Sequence, residues 1–263
     1  MSAFWLMLLL KIVMTAGIVV AASLIVERSG PFIGSMIAAL PTAGGAAFII
    51  LAMEHPPAFV AQSAVGSMVS NAMVAVFALT YAALAQKRSL LVSLGTAFIV
   101  WLLCAALSRL VDWTVPSALL LSAVVFPVTI YLGQRFRAEG AAKARVAFTA
   151  RDLAWRAAVV TLCVILVTAA SSTIGSYFSG IFAFFPIAMG SYLVILHPRI
   201  GGPATASVAA HVQAPLIGLG LGMIAVHYLA EPIGTWWALA AGMAITIVWN
   251  AALWAWRTRT KLI

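Results

Sequence analysis

Charged residues are scarce in this sequence, and their scarcity indicates its class. Only 8% of the residues are charged and 64% are hydrophobic, whereas about 25% of the residues in a soluble domain are charged. A chain of this composition has too little polar surface to cover itself in water, so we predict that its solvent is lipid. The net charge of +9 does not indicate nucleic-acid binding, because the basic residues lie in short stretches between apolar runs, as membrane topology requires.

Cysteines and catalytic motifs are also scarce. The two cysteines, Cys104 and Cys163, lie inside apolar runs without the spacing of a metal or redox site, so we interpret them as small packing residues. The sequence contains no Gly-x-Ser-x-Gly, phosphate-loop or His-Glu-x-x-His pattern. We therefore predict neither an enzyme nor a metal or cofactor site. Lys11 interrupts the first apolar run, so we expect a retained span and not a cleaved leader.

Long apolar runs fill the rest of the chain. A helix needs about 20 apolar residues to cross the ~30 Å hydrocarbon core of a bilayer. The runs of this length are residues 3–26, 31–53, 58–84, 90–110, 114–134, 153–172, 176–196, 204–229 and 234–256. We therefore predict an all-α fold, a polytopic membrane bundle of nine helices. It divides into a first four-helix repeat (1–110), a linking helix with a basic loop (111–152) and a second four-helix repeat (153–263).

The basic residues between the apolar runs predict the orientation. The longest connection, residues 135–152, carries Arg135, Arg137, Lys143, Arg145 and Arg151. Cytoplasmic loops carry an excess of lysine and arginine, so we expect this connection and the C-terminus in the cytoplasm and the N-terminus outside. Thr149 and Asp152 have the spacing of a capping box, which predicts that a helix begins near Ala150.

Two stretches, residues 30–53 and 175–197, match each other without a gap. A shift of 145 positions places Gly30 on Gly175 and Pro41 on Pro186. Because one further span separates the two four-span copies, the second copy enters the membrane from the opposite side, and we predict an inverted repeat. Proline removes a backbone donor and clashes with the carbonyl four residues earlier, so helices two and seven should be interrupted at mid-membrane. Paired interrupted spans indicate the binding centre of a secondary transporter.

The same stretches resemble the small four-span GlpM-like inner-membrane proteins. The resemblance lies in residues 32–51, FIGSMIAALPTAGGAAFIIL, and 177–196, YFSGIFAFFPIAMGSYLVIL, where an apolar run ends in proline and a glycine-bearing half-helix follows. It covers both copies and implies a bacterial inner-membrane location. It implies no activity, because that family supplies none to carry over.

Two cations inside the predicted spans are candidate substrate ligands. Lys11 lies well inside the first span, and Arg156 is its partner at the 145-residue shift. A cation within the membrane is costly and often marks a functional cavity. We hypothesise that the two hold an anionic substrate, one from each side; the alternative is that both side chains snorkel to the nearer interface.

The helix restarts after the two prolines are the second candidate. A helix that restarts at Thr42 presents free N–H groups and a positive dipole end to a carboxylate or phosphate. Gly44 and Gly45 would let a ligand approach the backbone. In the second copy Gly190 matches Gly45, but Ile187 replaces the threonine, so the two sites should differ. The alternative is a pair of ordinary proline kinks satisfied by neighbouring helices.

Polar residues in the third and eighth spans complete the predicted site. Asn71, His211 and Gln213 are the residues we assign to a polar route between the halves, with His211 as a candidate proton carrier because histidine titrates near neutrality. Interhelical hydrogen bonding, worth about 0.6 kcal/mol a pair, is the alternative.

These features predict a secondary transporter that moves a small anionic solute or a lipid-linked phosphate by alternating access. The partners we expect are membrane lipid and that anion. The alternative hypothesis is a non-transporting scaffold or regulatory subunit of an envelope-assembly complex, with the proline kinks packed dry.

Overall fold

The computed structural model describes residues 5, 6, 9–21, 24, 42–137 and 148–260. Every regular element in these ranges is helical, which confirms the all-α class. The helices are α1 (Leu9–Ala21), α2 (Thr42–Glu54), α3 (Pro57–Leu84), α4 (Leu90–Leu107), α5 (Val115–Gly133), α6 (Ala150–Ala183), α7 (Ile187–Ile200), α8 (Gly202–His211), α9 (Gln213–Leu229) and α10 (Thr235–Thr260).

Six helical stretches in the described ranges are long and apolar enough to cross a membrane, so the chain is a multi-pass membrane protein in composition and length. The nine spans predicted from sequence are not reached. The first two predicted spans are described only in part, the first mainly as α1 and the second from Thr42 onward as α2. The sixth and seventh predicted spans form one helical stretch, Ala150–Ile200.

The stretch Ala150–Ile200 folds back on itself. Gly175, with φ 76° and ψ 172°, breaks the helical backbone inside α6. Residues with a Cβ rarely adopt a positive φ, whereas glycine has no Cβ to clash. Near the two ends of the stretch, Asp152 and Arg199 form an ion pair. The chain therefore returns to the side from which it started, and Gly175 lies at the far turn of a helical hairpin.

Local sequence explains where the helices of this hairpin begin and end. Thr149 and Asp152 form the predicted capping box, with the Thr149 N–H donating to Asp152 Oδ2 at 2.7 Å, and α6 begins at Ala150. The second arm is interrupted at Pro186, between the end of α6 at Ala183 and the start of α7 at Ile187. Proline cannot donate to the carbonyl four residues earlier, so the interruption predicted for this helix is present.

The core is centred on α3. In its most apolar 18-residue window 72% of the residues are buried, against 22% in the windows of α4, α5 and α10. The outer helices expose large apolar side chains such as Leu91, Leu120 and Trp237, which is the surface expected against lipid. Small and polar residues line α3 because its neighbours approach closely on several sides.

The helix α3 packs closely against the second part of α6. Gly66 lies against the carbonyl oxygen of Tyr177, and Gly180 lies against that of Ser63, so neither position has room for a Cβ. Between them, Ser67 Oγ donates to the Gly180 carbonyl at 2.9 Å and Ser63 Oγ to the Ser176 carbonyl at 2.9 Å.

The helix α3 also lies antiparallel to the α8–α9 stretch. Its N-terminal part meets the end of α9, where Ala61 accepts a bond from His227 at 2.8 Å. In the middle, Asn71 Nδ2 donates to the Leu216 carbonyl at 2.8 Å. At the other end, Gly202 at the start of α8 lies against the carbonyl of Ala85.

The helix boundaries recur at the spacing of the sequence repeat. The starts of α3 and α4 at residues 57 and 90 correspond, 145 positions later, to the starts of α8 and α10 at 202 and 235. The end of α3 at Leu84 corresponds to the end of α9 at Leu229. Packing recurs too, because α4 contacts α7 and α10 contacts α2.

The glycine contact between α3 and α6 generates a stability prediction. Gly180→Ala places a methyl group against a backbone carbonyl, and overpacking of this kind costs about 1–3 kcal/mol. We expect a lower melting temperature in detergent. The control is Gly95→Ala in α4, where a Cβ meets no heavy atom within 4 Å; equal melting temperatures for the two variants would contradict the packing.

Candidate functional site

The described part of the predicted mid-membrane site borders a cavity. Pro41 lies outside the described residues; Thr42 begins α2, but its side chain is also outside them. Gly44 and Gly45 line a cavity of about 220 Å³ between α2, α9, α10 and Phe184. Two of the predicted site residues therefore border a cavity, although a Cβ added at Gly44 would lie 2.8 Å from the Phe184 ring.

The walls of this cavity are apolar. Phe48, Met223 and Met243 are typical of its lining, and Thr246 is the one polar side chain among the lining residues. The Thr246 hydroxyl is already engaged, within 2.9 Å of the Gly242 carbonyl and 3.3 Å of the Gly218 carbonyl. Apolar pockets favour apolar ligands, so the cavity fits hydrocarbon better than a bare anion.

The corresponding position in the second copy is filled by aromatic rings. Pro186 and Gly190 lie there, and the Phe98 ring lies against Gly190, where an added Cβ would be 2.6 Å from it. Phe98 stacks on Phe185 at 5.3 Å, and Trp101 meets Phe185 edge-on at 5.0 Å between ring centroids. An anion at this helix restart would have to displace aromatic packing, so the site predicted at Pro186 and Gly190 is not open here.

Sequence comparison between the copies explains this difference. At the 145-residue shift, Phe98 corresponds to Met243 and Trp101 to Thr246. Larger and more rigid rings therefore close in one copy the space that smaller or more flexible side chains leave in the other.

The predicted polar residues of α3, α8 and α9 bond to helix backbones. Asn71 donates to Leu216, and Gln213 Nε2 donates to the Ala75 carbonyl at 3.0 Å. His211 Nδ1 lies 2.7 Å from the carbonyl of Ser207, one turn earlier. The Asn71 and Gln213 amides therefore join helices, as the alternative interpretation has it, while their Oδ1 and Oε1 atoms are buried without a partner.

Lys11 is ion-paired. Its Nζ lies 2.6 Å from Glu54 Oε1 at the end of α2, and the two side chains are 12% and 25% exposed. The structure thus adds a third possibility to the cavity and snorkelling interpretations, since an internal carboxylate neutralises this cation.

Arg156 has a different environment. It is 6% exposed, and its guanidinium carbon lies 5.6 Å from the Phe148 ring centroid and 5.1 Å from that of Tyr192. Its Nε and Nη1 atoms are buried without a hydrogen-bond partner. The two predicted cations therefore lie in unlike sites. Lys11 is neutralised by Glu54, whereas Arg156 has no carboxylate partner among the described residues.

Sequence reasoning missed the aromatic residues around Arg156 and the acid beside Lys11. The repeat contains a signal for both, because Glu54 corresponds to Arg199 and Ala47 to Tyr192 at the 145-residue shift. A reversal of charge at equivalent positions predicts that the two cations cannot have equivalent partners.

Comparison with known proteins identifies no relative: no family model, curated protein or solved structure matches the chain. The resemblance to GlpM-like proteins therefore stays a prediction.

The Lys11–Glu54 contact generates a double-mutant prediction. Lys11→Met or Glu54→Gln alone leaves one charge without its partner, whereas the double variant removes both. We expect the double variant to lose less stability than the sum of the losses in the two single variants. The difference, which is the coupling energy of the pair, should be roughly 0.5–3 kcal/mol. Melting temperatures of the four proteins in detergent measure it, and additive losses would show that the pair contributes nothing.

Proposed function

We propose that this protein is a secondary transporter of the bacterial cytoplasmic membrane, built from two inverted repeats that alternate access to one central site. Its N-terminus lies outside and its C-terminus in the cytoplasm. The substrate is an anion, and of the two classes predicted from sequence, the apolar cavity favours a lipid-linked phosphate over a small hydrophilic solute.

The observation that carries the proposal is the antiparallel pairing of α3 with α8–α9. These two stretches share their boundaries at a shift of 145 positions, and Asn71 bonds to Leu216, its own counterpart at that shift. A residue that meets its counterpart lies next to a two-fold axis. Because the helices run in opposite directions there, that axis lies across them, as in inverted-repeat transporters.

Two further features support the inverted arrangement. The contacts α4–α7 and α10–α2 are exchanged by the same shift, as a two-fold axis requires. The hairpin turn at Gly175 adds a second membrane pass within Ala150–Ile200. The chain then reverses direction an odd number of times between equivalent helices of the two copies, so these helices run in opposite directions.

The cavity beside Gly44 and Gly45 offers space for a substrate next to the interruption predicted in helix two. Its counterpart around Pro186 is closed by Phe98 and Trp101. The two halves differ here because Phe98 and Trp101 occupy the positions of Met243 and Thr246, so the cavity half is the one we assign to the substrate.

The scaffold hypothesis keeps one specific observation in its favour. Aromatic rings fill the space beside the interruption at Pro186, namely those of Phe98, Trp101 and Phe185. A closed core of this kind is expected of a non-transporting subunit. A transport measurement distinguishes the two functions.

Side-specific labelling tests the inverted repeat. In a variant without Cys104 and Cys163, single cysteines replace Lys87 or Pro232, exposed residues that are equivalent at the 145-residue shift. We expect a membrane-impermeant maleimide to label position 232 from outside intact cells and position 87 only after the membrane is opened. Labelling of both from the same side would contradict the inversion.

Transport in proteoliposomes tests the function. With an imposed proton gradient, we expect fluorescently labelled phosphatidic acid to cross faster than in protein-free vesicles, and ³²P-phosphate to cross at the background rate. Met243→Trp fills part of the cavity and should bring lipid movement down to background.

The matched control for this variant is Val248→Trp, which adds the same side chain to an exposed position of α10, 68% exposed. Loss of transport in both variants would show that bulk on α10 and not the cavity matters. Wild-type rates equal to protein-free vesicles for both probes would favour the scaffold.

A further inference from the structure

Arg156 is a buried cation that forms no ion pair with a described carboxylate. It lies in the second turn of α6 and is 6% exposed, and its guanidinium carbon lies over the rings of Phe148 and Tyr192. Ring faces attract a cation with about 2 kcal/mol when the contact is dry. They do not, however, supply acceptors in the plane of the guanidinium, where its N–H donors point.

Two of the three guanidinium nitrogens of Arg156 are left unsatisfied. Nε and Nη1 are buried and have no hydrogen-bond partner. Buried charges are normally paired and hydrogen-bonded, because an uncompensated one is strongly unfavourable. Among the described residues, Arg156 therefore lacks the counter-ion that its burial calls for.

The nearest acid along the helix is already engaged. Asp152 lies one turn before Arg156, but its Oδ2 accepts from the backbone N–H of Thr149 and from Arg199. Between described residues, the ion pairs Lys11–Glu54 and Arg199–Asp152 form, and neither includes Arg156.

The repeat shows what has changed. In the first copy Lys11 is neutralised by Glu54. The residues at the same positions of the second copy are Arg156 and Arg199, so the internal carboxylate is replaced by a second cation. The pair of positions that holds a lysine and a glutamate in the first copy therefore holds two arginines in the second.

We propose that Arg156 binds the phosphate group of an anionic ligand, with Phe148 and Tyr192 as the apolar walls of the site. The planar guanidinium matches the geometry of phosphate oxygens. The position near the start of α6, about 9 Å along the helix at 1.5 Å per residue, is within reach of the headgroup layer. The role of this site in the passage of substrate rests on the proposed transport function; its binding of phosphate does not.

Thermal unfolding of the full-length protein in a neutral detergent tests the binding. The probes are dioctanoyl phosphatidic acid, dioctanoylglycerol as its uncharged counterpart, and inorganic phosphate against chloride at equal ionic strength. A ligand that binds only the folded protein raises the melting temperature, because it stabilises that state by RT ln(1 + [L]/Kd). We expect a rise with a phosphate-bearing probe and none with dioctanoylglycerol; the probe that acts identifies a lipid headgroup or a free phosphate as the source.

Variants assign the effect to Arg156. Removal of a hydrogen bond to a charged group costs about 1.5–3 kcal/mol, so Arg156→Gln should weaken the apparent affinity about ten- to hundredfold. Arg156→Lys keeps the charge and loses the planar fork, and it should bind with intermediate affinity. Lys87→Gln removes an exposed cation and should bind as the wild type does.

Two results would overturn the proposal. One is the absence of stabilisation by either phosphate probe, and the other is equal stabilisation of wild type and Arg156→Gln. If the glutamine variant does not fold, wild-type affinity in Arg156→Lys is the overturning result. None of these outcomes depends on the sidedness of positions 87 and 232, so failure of this site is distinguishable from failure of the transporter.

Discussion

Hydrogen bonds from side chains to the backbones of neighbouring helices hold the centre of this protein together. A membrane interior offers little hydrophobic drive between helices, so close packing and polar contacts must join them. Here Ser67 bonds to α6, Asn71 to α9, and Gln213 back to α3. Gly66 and Gly180 allow the backbones of α3 and α6 to approach closely enough for the Ser67 bond to form. The helix α3 is therefore fixed against α6 on one side and α9 on another.

The 145-residue repeat of the sequence relates the features of functional interest in pairs. It relates the α2 region, with its cavity, to the α7 region, with its aromatic filling, and it relates Lys11 to Arg156. These correspondences make the differences informative, because equivalent positions carry an ion pair in one copy and a guanidinium without a carboxylate partner among the described residues in the other.

Local chemistry of the chain predicted many boundaries well. Thr149 and Asp152 predicted the start of α6, and Pro186 predicted the interruption before α7, because caps and prolines act within a single helical turn. Gly175 falls between the predicted spans 153–172 and 176–196, and the structure turns there, with φ 76°. The described residues contain six stretches long enough to span a membrane and not the nine predicted, because one stretch includes this turn and the first two predicted spans are described only in part.

The sequence by itself determined the membrane class, the all-helical class and the 145-residue repeat that pairs Lys11 with Arg156. These follow from composition, periodicity and local backbone chemistry. Only the tertiary structure decided that Lys11 pairs with Glu54, that a cavity lies beside Gly44 and Gly45, and that Asn71 and Gln213 bond to helix backbones. Those outcomes depend on which side chains of distant segments meet, and long-range contacts of this kind are set by packing in three dimensions.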